Sequence, residues 1–111
     1  MKRKIMIGTK EVTLEANGLT PMKYRKAFPG RDIIRELIEI DEMDEGEDID
    51  IEIYDRLAYV MSGAADEGTG FETWLAGFGP VDIFFASVDI MDVWNGNTAT
   101  QSEEGDEQPK K

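Results

Sequence analysis

Acidic side chains supply the first candidate for chemistry, in the stretch DEMDEGEDIDIE from Asp41 to Glu52. A calcium loop places oxygen ligands around a turn glycine, and Gly46 at that turn would make Asp41 the first ligand and Glu52 the bidentate one. Met43 and Ile49 then fall where oxygen ligands belong. The pattern therefore favours a solvated acidic loop over a calcium site.

Carboxylates could also act as a catalytic pair, since general acid and base work needs only two carboxyl groups in different environments. The chain has 24 Asp and Glu residues but no histidine and no cysteine. It therefore lacks the commonest general base, a thiolate nucleophile and the usual zinc ligands. We expect no catalytic residue, no metal and no cofactor, and a small carboxylate hydrolase stays as the weakest alternative.

The length of 111 residues, 41% of them hydrophobic, suits one domain around one core. No apolar run approaches the roughly 18 to 20 residues that cross a bilayer, and the N-terminal stretch MKRKIMIG lacks the apolar region of a signal peptide. We expect a soluble, cytoplasmic protein with one domain over residues 1–95. Residues 96–111 are polar and rich in Gly, Ser, Thr and charge, which predicts a disordered tail.

The elements that would position any site begin with a β-hairpin. Apolar residues alternate around Ile5 and Ile7 and again around Val12 and Leu14, and the intervening GTK supplies a turn glycine. A hairpin alone is marginal in water, so it must pack on something.

Helical spacing of apolar residues follows the hairpin. Thr20 as N-cap with Pro21 behind it predicts a short helix through Phe28. Further helices are predicted from about Arg31, over about 50–65, over 71–78, and as one helix from Pro80 to Trp94. The sequence thus predicts a mainly α-helical α+β fold, with the hairpin packed on a bundle of about four to five helices.

The last predicted helix is apolar around much of its circumference, and such a helix is either central to the core or partly reserved for a partner. Two apolar sides can be distinguished in the sequence. One consists of Val81, Phe84, Phe85, Val88 and Met91, and the other of Ile83, Ile90 and Trp94.

Charge is distributed unevenly along the chain. Residues 1–35 carry a net charge of +6 and residues 36–111 carry −18, which together give the total of −12. Such a molecule can stack head to tail on its own copies, and heterologous contacts of this kind form rings when the rotation closes. The basic residues could also meet nucleic acid, but the acidic remainder would repel phosphate. The candidate self-association residues are Lys23, Arg25, Lys26, Arg31 and Arg35.

Taken in order, several segments resemble the tail assembly chaperones of long-tailed bacteriophages and prophages of Gram-positive hosts. They are EANGLTPMKYRKAFPGRDIIREL, an acidic spacer, YDRLAYVMSGAA and the final SVDIMDVWNGNTATQSEEGDEQPKK. The tail is more acidic than the simple Ser/Thr linker of that group. The matching positions are Ala16, Asn17, Thr20, Pro21, Tyr24, Arg25, Phe28, Gly30, Asp32, Trp94, Asn97, Thr98, Lys110 and Lys111.

The resemblance implies a non-enzymatic protein of viral tail assembly that coats the apolar, helical tape measure protein in the host bacterial cytoplasm and is absent from the mature virion. It also implies a homo-oligomer along that partner and a longer frameshifted product that would reach the tail tube protein. No nucleic acid or membrane partner is expected. An acidic DNA mimic that inhibits a host DNA-binding protein is the alternative. The expected tape measure contacts are Phe71, Trp74, Phe78, Ile83, Ile90 and Trp94.

Overall fold

A computed structural model of the chain describes residues 1–42 and 50–96. Most of the acidic stretch considered as a calcium loop, and the predicted tail from residue 97, lie outside the described residues. Within the described ranges the chain forms one hairpin and six helices. They are β1 (Lys2–Ile7), β2 (Lys10–Glu15), α1 (Thr20–Ala27), α2 (Ile33–Asp41), α3 (Glu52–Met61), α4 (Phe71–Leu75), α5 (Asp82–Phe85) and α6 (Ser87–Asn95).

The hairpin is antiparallel, in a register that pairs Lys2 with Glu15 and Ile7 with Lys10. Gly8 makes the turn with φ 64°, a conformation that L side chains rarely adopt. A side chain at Gly8 would also collide with the carboxylate of Asp82. The alternation works as predicted, because Ile5, Ile7, Leu14 and Ala16 are all buried.

Helix α1 starts differently from the prediction. Leu19, not Thr20, is the residue at the N-cap position, and its side chain makes no capping hydrogen bond. Thr20 is buried, and its Oγ1 accepts a hydrogen bond from the Asn17 backbone N–H at 2.9 Å. Asp32 is a true cap for α2, since its Oδ1 accepts from the backbone N–H of Ile34 at 3.0 Å and of Arg35 at 3.4 Å.

Helix α3 is the centre of the domain. It contacts each of the other five described helices, and strand β2 as well. Nearly every side of it is buried, and the buried residues are Ile53, Arg56, Leu57, Ala58, Tyr59, Val60 and Met61. The helix ends earlier than predicted, because Gly63 turns the chain with φ 83° shortly after Met61.

The segment after Gly79 and Pro80 is two helices, not the single helix predicted. Helices α5 and α6 meet at Ala86, whose φ and ψ of −92° and 5° interrupt the helical backbone. The buried residues of this segment are Ile83, Ala86, Ile90 and Val93. They pack towards α3 and the hairpin, and Arg3 of β1 adds ion pairs to Asp89 at 3.5 Å and Asp92 at 3.9 Å.

One buried cation joins the first three helices. Arg56 on α3 donates from Nε to the Tyr24 hydroxyl at 2.7 Å and from a terminal nitrogen to Asp50 at 2.9 Å. The Tyr24 hydroxyl in turn donates to Glu36 on α2 at 2.6 Å, and Glu36 also pairs with Arg31 at 3.0 Å. A buried charge is tolerated only with such partners, so this network holds α1 and α2 against α3.

The α+β prediction is confirmed: a two-stranded N-terminal hairpin packs on a set of short helices. Within the described ranges, no helix is both long enough and apolar enough to cross a membrane.

Replacing Arg56 with Ala should lower the free energy of unfolding by about 3 to 5 kcal/mol, because Glu36 and Asp50 then lose their buried cation. Urea unfolding followed by circular dichroism measures the change. Arg25→Ala is the matched control, since Arg25 is exposed on α1, and it should cost below about 1 kcal/mol. Equal losses in the two variants would show that the network does not stabilise the fold.

Candidate functional site

The Tyr24, Glu36 and Arg56 network is the most perturbed group of titratable side chains in the described part of the chain. Burial raises the pKa of the Tyr24 hydroxyl, and its hydrogen bond to Glu36 adds to the rise. Burial acts to lower the pKa of the Arg56 guanidinium, but its hydrogen bonds to Tyr24 and Asp50 reverse this and raise it. Tyr24 has no exposed surface, so no substrate can reach its hydroxyl. The network is therefore suited to holding helices together.

Two carboxylates near the start of α3 have pKa values shifted in opposite directions. Burial acts to raise the pKa of Asp50, but the hydrogen bond from Arg56 outweighs it, so the net shift is downward. Burial raises the pKa of Asp55, and the negative charge of Glu52 adds to the rise. Neither Asp50 nor Asp55 lines any of the three surface grooves described below. This pair therefore does not support the carboxylate hydrolase alternative.

Metal binding finds no support in the residues that can be described. Across 1–42 and 50–96, no group of three or more acidic side chains is arranged to hold a metal ion.

A surface of large apolar side chains lies on the outer side of α5 and α6. Phe85 and Val88 are 75% and 72% exposed, and Val81 and Phe84 are 49% and 48% exposed. The rings of Phe84 and Phe85 lie 6.0 Å apart. We call Val81, Phe84, Phe85 and Val88 the outer apolar face. A contiguous apolar surface with polar surroundings is typical of a binding site for a protein partner.

The six expected tape measure contacts divide into two groups. Ile83 and Ile90 are 3% and 0% exposed, so they are core residues and a partner cannot reach them on the folded domain. The prediction that Ile83 and Ile90 face a partner is therefore wrong. These two residues face the core, and the opposite side of the segment, which includes Phe85 and Val88, is exposed to solvent. Trp94 is partly buried beside a small groove of about 210 Å³ that also touches Met1 and Pro21.

The other expected contacts, Phe71, Trp74 and Phe78, are partly buried and form a chain of aromatic rings. Phe71 lies 5.0 Å from Phe28, and Trp74 lies 5.7 Å from Tyr59 and 4.9 Å from Phe78, all edge to face. Each ring pair of this geometry contributes about 0.5 to 1.5 kcal/mol beyond burial of area. These residues fix α4 on α3 and keep only part of their surface for a partner.

A larger groove, of about 660 Å³, lies between α1 and α3 and reaches the start of α4. Its apolar walls include Met22, Ala27, Val60 and Phe71, and its polar members are Lys23, Lys26 and Asp66. We call it the α1 groove. A third groove, of about 300 Å³, lies between α2, α3 and α6.

The predicted self-association residues do not all have the same role. Lys23 pairs with Asp66 at 2.8 Å across the α1 groove, and Arg31 pairs with Glu36. In the described part of the chain, Arg25, Lys26 and Arg35 are exposed and make no ion pair. The structure therefore leaves three of the five cations available on the surface.

Comparison of the chain with protein-family models, with characterised proteins and with solved structures gives no significant match. The function is therefore inferred from the surfaces of the molecule together with the resemblance of its sequence segments.

Stability should fall at alkaline pH through Tyr24. A phenol with a higher pKa in the folded state than in the unfolded state stabilises the fold fully below its ordinary pKa of 10.0, and that contribution is lost as the pH rises above it. Urea unfolding measured from pH 8 upward checks this. Above about pH 10, the free energy of unfolding of the wild type should fall more steeply than that of Tyr24→Phe, by up to about 1.4 kcal/mol per pH unit. Parallel pH profiles for the two proteins would contradict this assignment.

Proposed function

We propose that this protein is a non-catalytic phage tail assembly chaperone, which binds the apolar helical tape measure protein and keeps it soluble before the tail tube forms. The outer apolar face is the observation that carries the proposal. Phe85 and Val88 are about three-quarters exposed in a chain that has little apolar surface to spare from its core. Exposure on that scale costs solubility, and a partner that covers the face would account for it.

The position of this face suits a helical partner. Val81 immediately precedes α5, Phe84 and Phe85 lie on α5, and Val88 lies on α6 beyond the break at Ala86, so the face spans the junction of two short helices. An exposed apolar surface of this kind packs against the apolar stripe of another helix. A long helical filament offers the same stripe repeatedly, so many copies of this chain could line it.

The charge of the molecule supports the second half of the proposal, that of keeping the complex soluble. A net charge of −12 on 111 residues makes neighbouring complexes repel one another in solution. A protein that covers apolar surface with one side and presents acidic surface on the other converts an aggregating partner into a soluble one. The resemblance of the chain's segments to tail assembly chaperones gives this partner its proposed identity.

The test is co-expression with the large helical protein encoded next downstream. The wild type should keep that protein in the soluble fraction, with many copies of this chain bound to it. Phe85→Ser combined with Val88→Ser should reduce the soluble partner at least about tenfold, while the fold stays intact because both side chains are mainly exposed. Met6→Ser is the matched control, since Met6 is 54% exposed on β1 and is not one of the four residues of this face.

Two results would contradict the proposal. If the partner precipitates while wild-type protein stays free, the chain is not its chaperone, and the acidic DNA mimic becomes the leading reading. If the Phe85 and Val88 double variant solubilises the partner as well as the wild type does, the outer apolar face is not the contact.

A further inference from the structure

The third groove, between α2, α3 and α6, combines apolar walls with a negative charge. Its lining residues are Leu37, Ile38, Ile40, Asp41, Tyr54 and Met91, so Asp41 is the only charged side chain among the described residues that line it. Ile38 is 52% exposed, which leaves apolar surface open to solvent there. Asp41 is exposed and, in the described part of the chain, makes no ion pair. We call this groove the acidic groove.

Met91 connects the acidic groove to the outer apolar face. It lies on α6 three residues after Val88, and residues three apart are neighbours on the surface of a helix. Met91 lines the groove, whereas Val88 is 72% exposed. The apolar surface therefore continues from Val88 over Met91 to Ile38 on α2. A helix of about 20 residues is about 30 Å long, which is enough to follow this surface across a domain of 40 × 34 × 26 Å.

The opposite edge of this apolar surface is negative as well. Asp92 lies one helical turn after Val88, and Asp89 follows Val88 directly. These two carboxylates share one cation, Arg3 of β1, at 3.9 and 3.5 Å, and their side chains are 38% and 47% exposed. One guanidinium cannot neutralise two carboxylates, so this edge keeps a net negative charge. The continuous apolar surface thus has acidic side chains along both edges.

We infer that the helical partner on the outer apolar face continues into the acidic groove and carries lysine or arginine beside its apolar stripe. The inference rests on the proposed function, since it takes the outer apolar face as the start of the contact. Apolar side chains of the partner cover Met91 and Ile38, and its cations face Asp41 and Asp92. An acidic helix meets like charges along both edges and is disfavoured. The inference therefore adds a chemical class to the partner, that of a basic amphipathic helix.

Two synthetic helical peptides of about 20 residues test this class. Both carry the same leucine stripe, and the residues that flank the stripe are lysine in one peptide and glutamate in the other. Fluorescence anisotropy of the labelled peptides measures their dissociation constants from the purified full chain. At low salt the lysine peptide should bind at least about tenfold more tightly, and this ratio should fall as salt screens the charges.

Charge reversal at Asp41 separates a local contact from general attraction. Asp41→Lys should weaken binding of the lysine peptide about threefold or more and strengthen binding of the glutamate peptide, because the sign of the groove charge is reversed. Glu11→Lys is the matched control, since it changes the net charge equally and Glu11 is exposed on β2 outside the groove. It should change either affinity less than about twofold.

An apolar substitution in the groove gives the second measurement. Ile38→Ser should weaken both peptides by a similar factor, about fivefold, because it removes contact surface without changing charge. Leu19→Ser is its control, since Leu19 is 50% exposed and does not line the groove. Circular dichroism should confirm that every variant is folded.

The inference is overturned if the two peptides bind equally well, if Asp41→Lys and Glu11→Lys have equal effects, or if Ile38→Ser changes neither affinity. It is also overturned if the Asp41 and Ile38 variants change only the oligomeric size of the chain alone, since the groove would then be a contact between copies. The proposed function is scored separately, by the amount of soluble tape measure protein. A chain that solubilises that protein equally well with or without Asp41→Lys keeps the proposed function and contradicts this inference.

Discussion

The arrangement of the first half of the domain depends on one buried guanidinium. The side chain of Arg56 is only 4% exposed, and a charge at that depth is stable only when hydrogen-bond acceptors surround it. Those acceptors come from separate parts of the chain: Tyr24 on α1, Glu36 on α2 and Asp50 just before α3. Satisfying one cation therefore fixes the two N-terminal helices on α3, and the α1 groove is the space that this placement leaves.

The second half of the domain is held by apolar packing instead. Ile83, Ile90 and Val93 fill the space between α3 and the hairpin, while the ring chain from Phe28 to Phe78 secures α4. A chain of 111 residues has too few further elements to cover both sides of α5 and α6. The outer apolar face is left over on the side of α5 and α6 away from α3, and this gives the molecule a binding surface that is independent of the charged half.

Local patterns predicted the elements well where apolar spacing defined them. Alternation predicted the hairpin, and helical spacing predicted a helix from about Arg31, close to the start of α2 at Ile33. The Arg56 network could not be predicted in the same way, because Tyr24, Glu36 and Arg56 are far apart in sequence and each is unremarkable alone. An arginine within an apolar helical stretch was the one available indication. The interruption of the helix at Ala86 had no such indication in the sequence, because alanine is the strongest helix former.

By itself, the sequence determined the fold class, the order of most elements, the uneven charge and the presence of two apolar sides between Val81 and Trp94. Only the tertiary structure decided which of those sides enters the core. Both have helical spacing and similar hydrophobicity, so local pattern does not distinguish them. The choice depends on which side chains fit against α3 and the hairpin, and Ile83 and Ile90 fill that space while Phe85 and Val88 remain in solvent.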